Sequence, residues 1–368
     1  LQNAYLTRPY LFNDNTGDIF YLALKGSGTM SSVMLPSIEE VFSLVAQPLE
    51  SVKASLMAIV PPESVALAES VQHSLSGGGK YLRPVATLLT GAATGPQSEI
   101  QRHQACETAA VAEMIHVATL LHDDVIDHSE LRRGRQTVRA VWGNKISVLS
   151  GDYLLAQASV KLSRLNNNRL VSIFAHVLAD LCDGEVEQLR ASYTLEASWD
   201  SYYKKTICKT ASLFSAGCES AGVINQLPEE QIQALKTYGR NFGIAFQIMD
   251  DLLDYTATEA EMGKPVLDDL RNGLMNAPVL IALESERLSE TEQAALREHI
   301  QKLFEDPAND MHIAAIQDAL NACDALAETR ALARRYIDEA SQALDFVPDS
   351  IEKQALLTLL DYIVQRRN

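Results

Sequence analysis

No stretch of this chain holds the eighteen or so consecutive apolar residues that a membrane-spanning helix needs; the most apolar segment, Ala109 to Leu121, is interrupted by Glu113 and His116. Cysteine is sparse. The five cysteines (Cys106, Cys182, Cys208, Cys218, Cys323) are odd in number, scattered and without a CxxC pair. That argues against a disulfide framework and a cysteine zinc site, and a reducing, cytoplasmic compartment is expected. Basic charge is also short: 31 Lys+Arg stand against 48 Asp+Glu, for a net charge of −17. No nucleic-acid partner is expected, because a phosphate backbone needs a basic stripe. Strand signals, whether alternating Val/Ile/Thr runs or Asn-Gly turns, are almost absent. What remains is a 368-residue chain with 47% hydrophobic and 21% charged residues, the balance of a globular protein rather than a disordered one.

Residues 1–35 stand apart as an N-terminal extension. The sequence does not begin with Met, and its first 29 residues carry few charges and run through Lys25-Gly-Ser-Gly-Thr29 into Met30. They have neither the apolar core of a signal peptide nor the Arg-rich, acid-poor character of a transit peptide. They read as an added or weakly structured segment, with Met30 or Met34 as the expected native start. From residue 36 to 368 the chain reads as helix after helix. Ser37 with Glu40, and Ser289 with Glu292, have capping-box form. Pro228-Glu-Glu230 places proline and acids where a helix begins. Apolar residues recur at three and four, as in Leu320, Cys323, Leu326 and in Leu332, Tyr336. The expectation is a single large all-α domain.

Two segments carry chemistry: Leu121-His-Asp-Asp-Val-Ile-Asp127 and Ile248-Met-Asp-Asp-Leu-Leu-Asp254. Each contains DDxxD. On a helix, Asp123 and Asp127 share a face, as do Asp250 and Asp254, and like charges at that spacing repel. Both motifs lie in apolar surroundings, where an uncompensated carboxylate is costly. A single DDxxD is most often a solvated acidic face, but two copies in such settings suit Mg²⁺, which takes one or two carboxylates and completes its shell with water and substrate phosphate. Upstream, Gly77-Gly-Gly-Lys-Tyr-Leu-Arg-Pro84 can bring backbone N–H groups and two cations to a phosphate. Leu131-Arg-Arg-Gly-Arg135 follows the first acidic motif, and guanidinium grips phosphate oxygens in pairs.

GGGKYLRP, LLHDDVIDHSELRRG, GDYLLAQA, CKTASLF and FQIMDDLLDY followed by GKP, in this order over about residues 37–368, resemble the trans-polyprenyl diphosphate synthase family. The resemblance implies an all-α fold of the isoprenoid synthase type around a central cavity, with the two acidic motifs facing each other across its mouth, and a homodimer. It implies a Mg²⁺-dependent prenyltransferase that condenses an allylic prenyl diphosphate with successive isopentenyl diphosphates. By position, Lys80, Arg83 and Arg133 would hold isopentenyl diphosphate with His116 beside them, and Arg132 would contact the allylic diphosphate. Asp123 and Asp127 on one wall, and Asp250 and Asp254 on the other, would bind Mg²⁺. Lys209, Thr210 and Gln247 would face the allylic substrate, and Lys264 would close over its phosphates. Asp124 and Asp251 are expected behind the metal ligands. Two departures touch the closing segment: Asn276-Ala277-Pro278 stands where relatives often read Thr-Leu-Pro, and Val266 to Asp269 follows GKP without a glycine.

Chain length is read from the turn before Asp123. Ala118 and Thr119, five and four residues earlier, are small, so no aromatic floor stops growth there, and no insertion interrupts DDVID. A long product, octaprenyl to decaprenyl for quinone side chains, is expected, with peripheral membrane contact during its release. The rivals are a terpene cyclase, which has no use for a second diphosphate site, a partner subunit, which would be expected to lose the carboxylates, and a helical scaffold, which leaves the acidic motifs unexplained.

Overall fold

A computed structural model describes residues 10–12, 19–24, 30–60, 63–256 and 266–366. After the strands β1 (Tyr10–Phe12), β2 (Ile19–Leu24) and β3 (Met30–Met34) come α1 (Ile38–Leu44), α2 (Ala46–Met57), α3 (Val65–Leu75), α4 (Leu82–Ala93) and the 28-residue α5 (Glu99–Ile126). A two-strand hairpin, β4 (Leu131–Arg132) and β5 (Arg135–Gln136), leads to α6 (Val138–Trp142), α7 (Asn144–Arg164) and α8 (Asn168–Ala191). Then follow α9 (Trp199–Thr206), a π-helical segment Ile207–Ala211, α10 (Ser212–Ile224) and α11 (Glu229–Thr256). Further helices end with Ala325–Ala343 and Ile351–Gln365.

The helices start where local chemistry directs. Ser37 and Ser289 accept the N–H of Glu40 and Glu292, whose side chains return to the cap backbone; Ser98 and Gln101 form a third such box at the head of α5. Each satisfies two donors that a helix end leaves open. The core gathers on α5 and α10. Ala109, Ala110, Val111, Ala112, Met114, Ile115 and Ala118 of α5 are fully enclosed, against α2, α4, α7 and α10. Nearly every residue of α10 is buried, and its Ala, Gly and Ser let α4, α5, α8 and α11 approach it closely. Among the described residues no helix is long and apolar enough to cross a membrane.

Strands occur where the sequence shows little sign of them. β1, β2 and β3 form an antiparallel sheet, with Tyr10 opposite Tyr21 and Phe20 opposite Met34. Ile19-Phe-Tyr-Leu-Ala-Leu24 is continuously apolar, so it escapes a search for alternation. The second hairpin turns on Arg133-Gly134, with φ of 52° and 73°. These are the two positive values of a two-residue hairpin turn, made by Arg-Gly instead of Asn-Gly.

Candidate active site

The first acidic motif ends α5. Asp127 is the C-cap, its N–H donating to the Asp123 carbonyl at 2.8 Å. Three carboxylates gather here at the negative end of the helix dipole, where nothing in the helix itself offsets their charge. Burial pushes the Asp123 carboxyl up to about 6, with Lys209 and Arg132 opposing and Glu185 and Asp127 adding to the rise. Burial also raises Asp127, against the same two cations. Asp124 points inward and is almost enclosed, its Oδ1 accepting from Arg132 Nε at 2.9 Å.

The hairpin turns the arginine run back toward the glycine loop. Arg133 Nη1 donates to the Gly78 carbonyl, and Arg135 Nη2 lies 3.2 Å from His73 Nδ1. A cleft between loop and α5 is lined by Gly77, Gly78, Glu113, His116, Arg132 and Arg133, among others. Burial lowers the His116 imidazole well below its ordinary range, and Arg83, Arg133 and Arg132 push the same way, so it is neutral at physiological pH. Arg83 is half-buried, with its guanidinium 4.8 Å from the Phe214 ring centroid. Burial brings its guanidinium down to about 10 despite the opposing charge of Glu113, and its Nε is enclosed without a hydrogen-bond partner among the described residues. Lys80 lies outside this cleft lining, 5.5 Å over the Tyr362 ring of the last helix.

The second motif occupies the C-terminal turns of α11. Asp250 is half exposed, with Oδ1 accepting from Arg366 Nη2 at 3.0 Å. Asp251 turns inward: its carboxylate accepts from Tyr202 OH at 2.7 Å, Gln247 Nε2 at 2.9 Å and the Ala277 N–H at 3.4 Å. Burial lifts its carboxyl to about 6. Asp254 is enclosed, and its Oδ2 accepts the Asp269 N–H at 3.2 Å. Lys264 lies outside the described residues.

The π-helical segment joins the two walls. Lys209 pairs with Glu185 and reaches Gln188 Oε1 at 3.2 Å, while Thr210 Oγ1 donates to Gln247 Oε1 at 2.8 Å. Two glycines set this geometry. A Cβ on Gly184 would lie 2.7 Å from Cys208 Cβ, and one on Gly243 would lie 2.4 Å from Ala211 Cα. α8 and α11 thus clasp the segment at backbone contact. Such π-bulges recur at functional sites because they re-aim a side chain.

A fold of helices carrying two aspartate-rich turns and an arginine-lined cleft finds its counterpart among known proteins. The polyprenyl synthetase family model matches residues 64–318. The chain belongs to that family. It is therefore a prenyltransferase of isoprenoid synthesis. It is 35% identical to heptaprenyl diphosphate synthase component 2 of Geobacillus stearothermophilus, over 89% of this chain and 99% of that one. A mitochondrial solanesyl-diphosphate synthase of Oryza sativa subsp. japonica is 34% identical, over 89% of this chain and 79% of that one. Among solved structures, a decaprenyl diphosphate synthase from Rhodobacter capsulatus superposes with a TM-score of 0.81 at 37% identity, over 90% and 99% of the two chains. A Caulobacter crescentus polyprenyl synthase, complexed with calcium and isoprenyl diphosphate, superposes at 0.82 with 32% identity, over 90% and 98%.

The structure thus brings Asp123 and Asp127 within the charge of Lys209, and Thr210 onto Gln247; His116, Arg132 and Arg133 line the adjoining cleft, Arg83 lies outside its lining, and Asp250 pairs with Arg366. Ala118 is fully buried, and Thr119 Oγ1 is spent on the His116 carbonyl at 2.8 Å. Glu113, Glu185, Tyr202 and Arg366 carry no motif of their own. Only Glu113 left a sequence trace, as a charge inside an apolar run.

Proposed function

We propose that the chain is a chain-elongating polyprenyl diphosphate synthase, condensing an allylic prenyl diphosphate with successive isopentenyl diphosphates. The observation that carries this reading is the pair of acidic turns joined by Lys209 and Thr210, with a cation-lined cleft beside the first. A single-substrate cyclase would need only half of that.

The carboxylates suit Mg²⁺. Burial raises both Asp123 and Asp127, so each gains from a positive charge brought close. That fits an ion completing its shell from diphosphate and water. Asp123 and Asp127 on one wall, and Asp250 and Asp254 on the other, would hold it, Asp254 with one oxygen also on the Asp269 amide. When bound, the ion neutralises charge on the departing diphosphate.

The protein's own groups do the rest. Lys80, Arg83 and Arg133 bind the isopentenyl diphosphate, and His116, kept neutral, donates a hydrogen bond beside them. Arg132, held by Asp124, grips the allylic diphosphate with Lys209, and Lys264 closes over it. As the allylic C–O bond ionises, Thr210 and Gln247 offer oxygen atoms to the carbocation. The isopentenyl double bond attacks it, and the proton lost passes to the released pyrophosphate. Enclosure keeps water from the cation. With small residues at Ala118 and Thr119, the chain grows to octaprenyl–decaprenyl length, for quinone side chains. The enzyme works as a cytoplasmic homodimer with peripheral membrane contact at product release.

One relative's name marks it as a component of a synthase, which favours a second reading in which this chain needs a different subunit. Pyrophosphate release by the purified chain separates the two. Release that needs Mg²⁺ and both substrates, and that Asp123→Ala abolishes, supports the main reading. Silence until a second subunit is added supports the other.

A further inference from the structure

Resting on that reading, we propose that Tyr202, on α9, is a positioning residue for the condensation. Through Asp251 and Gln247 it fixes which way the Thr210 hydroxyl points. Four side chains form one directed chain. Tyr202 OH donates to Asp251 Oδ2 at 2.7 Å, Gln247 Nε2 donates to Asp251 Oδ1 at 2.9 Å, and Thr210 Oγ1 donates to Gln247 Oε1 at 2.8 Å.

The direction follows from donor inventory. A carboxylate only accepts, so the amide of Gln247 must turn its NH₂ toward Asp251 and its carbonyl toward Thr210. A hydroxyl facing a carbonyl must donate. The Thr210 proton is therefore committed to Gln247, and its lone pairs are left for an electron-poor centre. Reversing any link would turn a proton toward that centre instead.

The chain has no slack at its far end. Tyr202 is 3% exposed and Asp251 1%, so no bulk water replaces a lost partner. The Tyr202 ring is wedged edge-on against Trp199 and Tyr203, each 5.6 Å away, and the Ala277 N–H donates to the same carboxylate. At 3% exposure, with its hydroxyl on Asp251, the phenol acts through that carboxylate and not on substrate. Asp251, turned inward by these bonds, gains a use that a solvent-facing carboxylate would lack. Networks of this kind, fully satisfied and buried, hold one arrangement.

The test is steady-state kinetics on the full chain with Mg²⁺, farnesyl diphosphate and isopentenyl diphosphate. Tyr202→Phe removes one oxygen. It is expected to lower kcat about tenfold while leaving both KM values within about twofold, the loss of an interaction that matters only in the transition state. In a Thr210→Val background, where the chain has lost its output, Tyr202→Phe should cost nothing further. If the two losses multiply, or kcat is unchanged, the inference is overturned although the enzyme is active. If the unsubstituted chain condenses nothing, the functional reading falls and takes this inference with it. Should Tyr202→Phe not fold, Asp251→Asn reads the same chain with its shape kept and its polarity reversible. It should lower kcat at least as far, and an unchanged kcat would again overturn the inference.

Discussion

Arg366 and Asp250 are 116 residues apart in sequence and 3.0 Å apart in space. The Arg366 side chain is 9% exposed; its guanidinium lies 4.4 Å from the Phe246 ring centroid, and its Nε and Nη1 are buried without hydrogen-bond partners among the described residues. A cation therefore already sits on one proposed metal carboxylate. Arg366→Gln should lower the Mg²⁺ concentration needed for half-maximal activity, about threefold, because the ion no longer competes with a guanidinium. A rise in the Mg²⁺ requirement would contradict this.

Asp124 carries no proposed metal role, and its bond to Arg132 explains its place in the motif. Asp124→Ala frees the guanidinium from its anchor. The KM for the allylic diphosphate should rise about tenfold, with the KM for isopentenyl diphosphate little changed. Equal rises in both would show that the anchor does not discriminate between the two diphosphates.

Most of the helical fold was legible, because capping boxes such as Ser37/Glu40 and Ser289/Glu292 and the three–four apolar spacing are local signals. The acidic and basic motifs were legible for the same reason. What was not legible depends on distant packing. The hairpin at Arg133-Gly134 uses a turn pair that sequence rules seldom favour, and the Arg366–Asp250 pair joins two distant parts of the chain. That Asp251 turns toward Tyr202, while Asp250 beside it stays at the surface, follows from how α9 and the Ala277 backbone close on α11. No spacing within the motif reveals it.

Away from the site, Lys161 and Ser55 both bond Glu107, joining α7, α2 and α5. Burial pushes the Glu107 carboxyl up, but the bonds from Lys161 and Ser55 and the Lys161 charge outweigh it, and the net direction is down. A depressed carboxyl stabilises the fold above its unfolded value, and that contribution is lost as pH falls through the folded value. Glu107→Gln should therefore cost about 2 kcal/mol at pH 7 and much less in acid, once the pH is below the folded value of the carboxyl. Denaturant titrations at both pH values check it, and an equal cost at each would contradict the ion-pair account.

Ala118 is fully enclosed one turn behind Asp123, with Met114 and Val111 deeper on α5. Ala118→Phe should shorten the product, since a ring there blocks the line of growth while leaving the diphosphate sites intact. An unchanged product would move the limit away from this face of α5.

The most direct measurement takes the purified chain with Mg²⁺, farnesyl diphosphate and labelled isopentenyl diphosphate, and resolves products by reversed-phase chromatography. A Mg²⁺-dependent ladder ending between octaprenyl and decaprenyl is the predicted result. Products that stop at geranylgeranyl would keep the reaction and refute the chain-length argument. No Mg²⁺-dependent condensation by the chain alone would contradict the account.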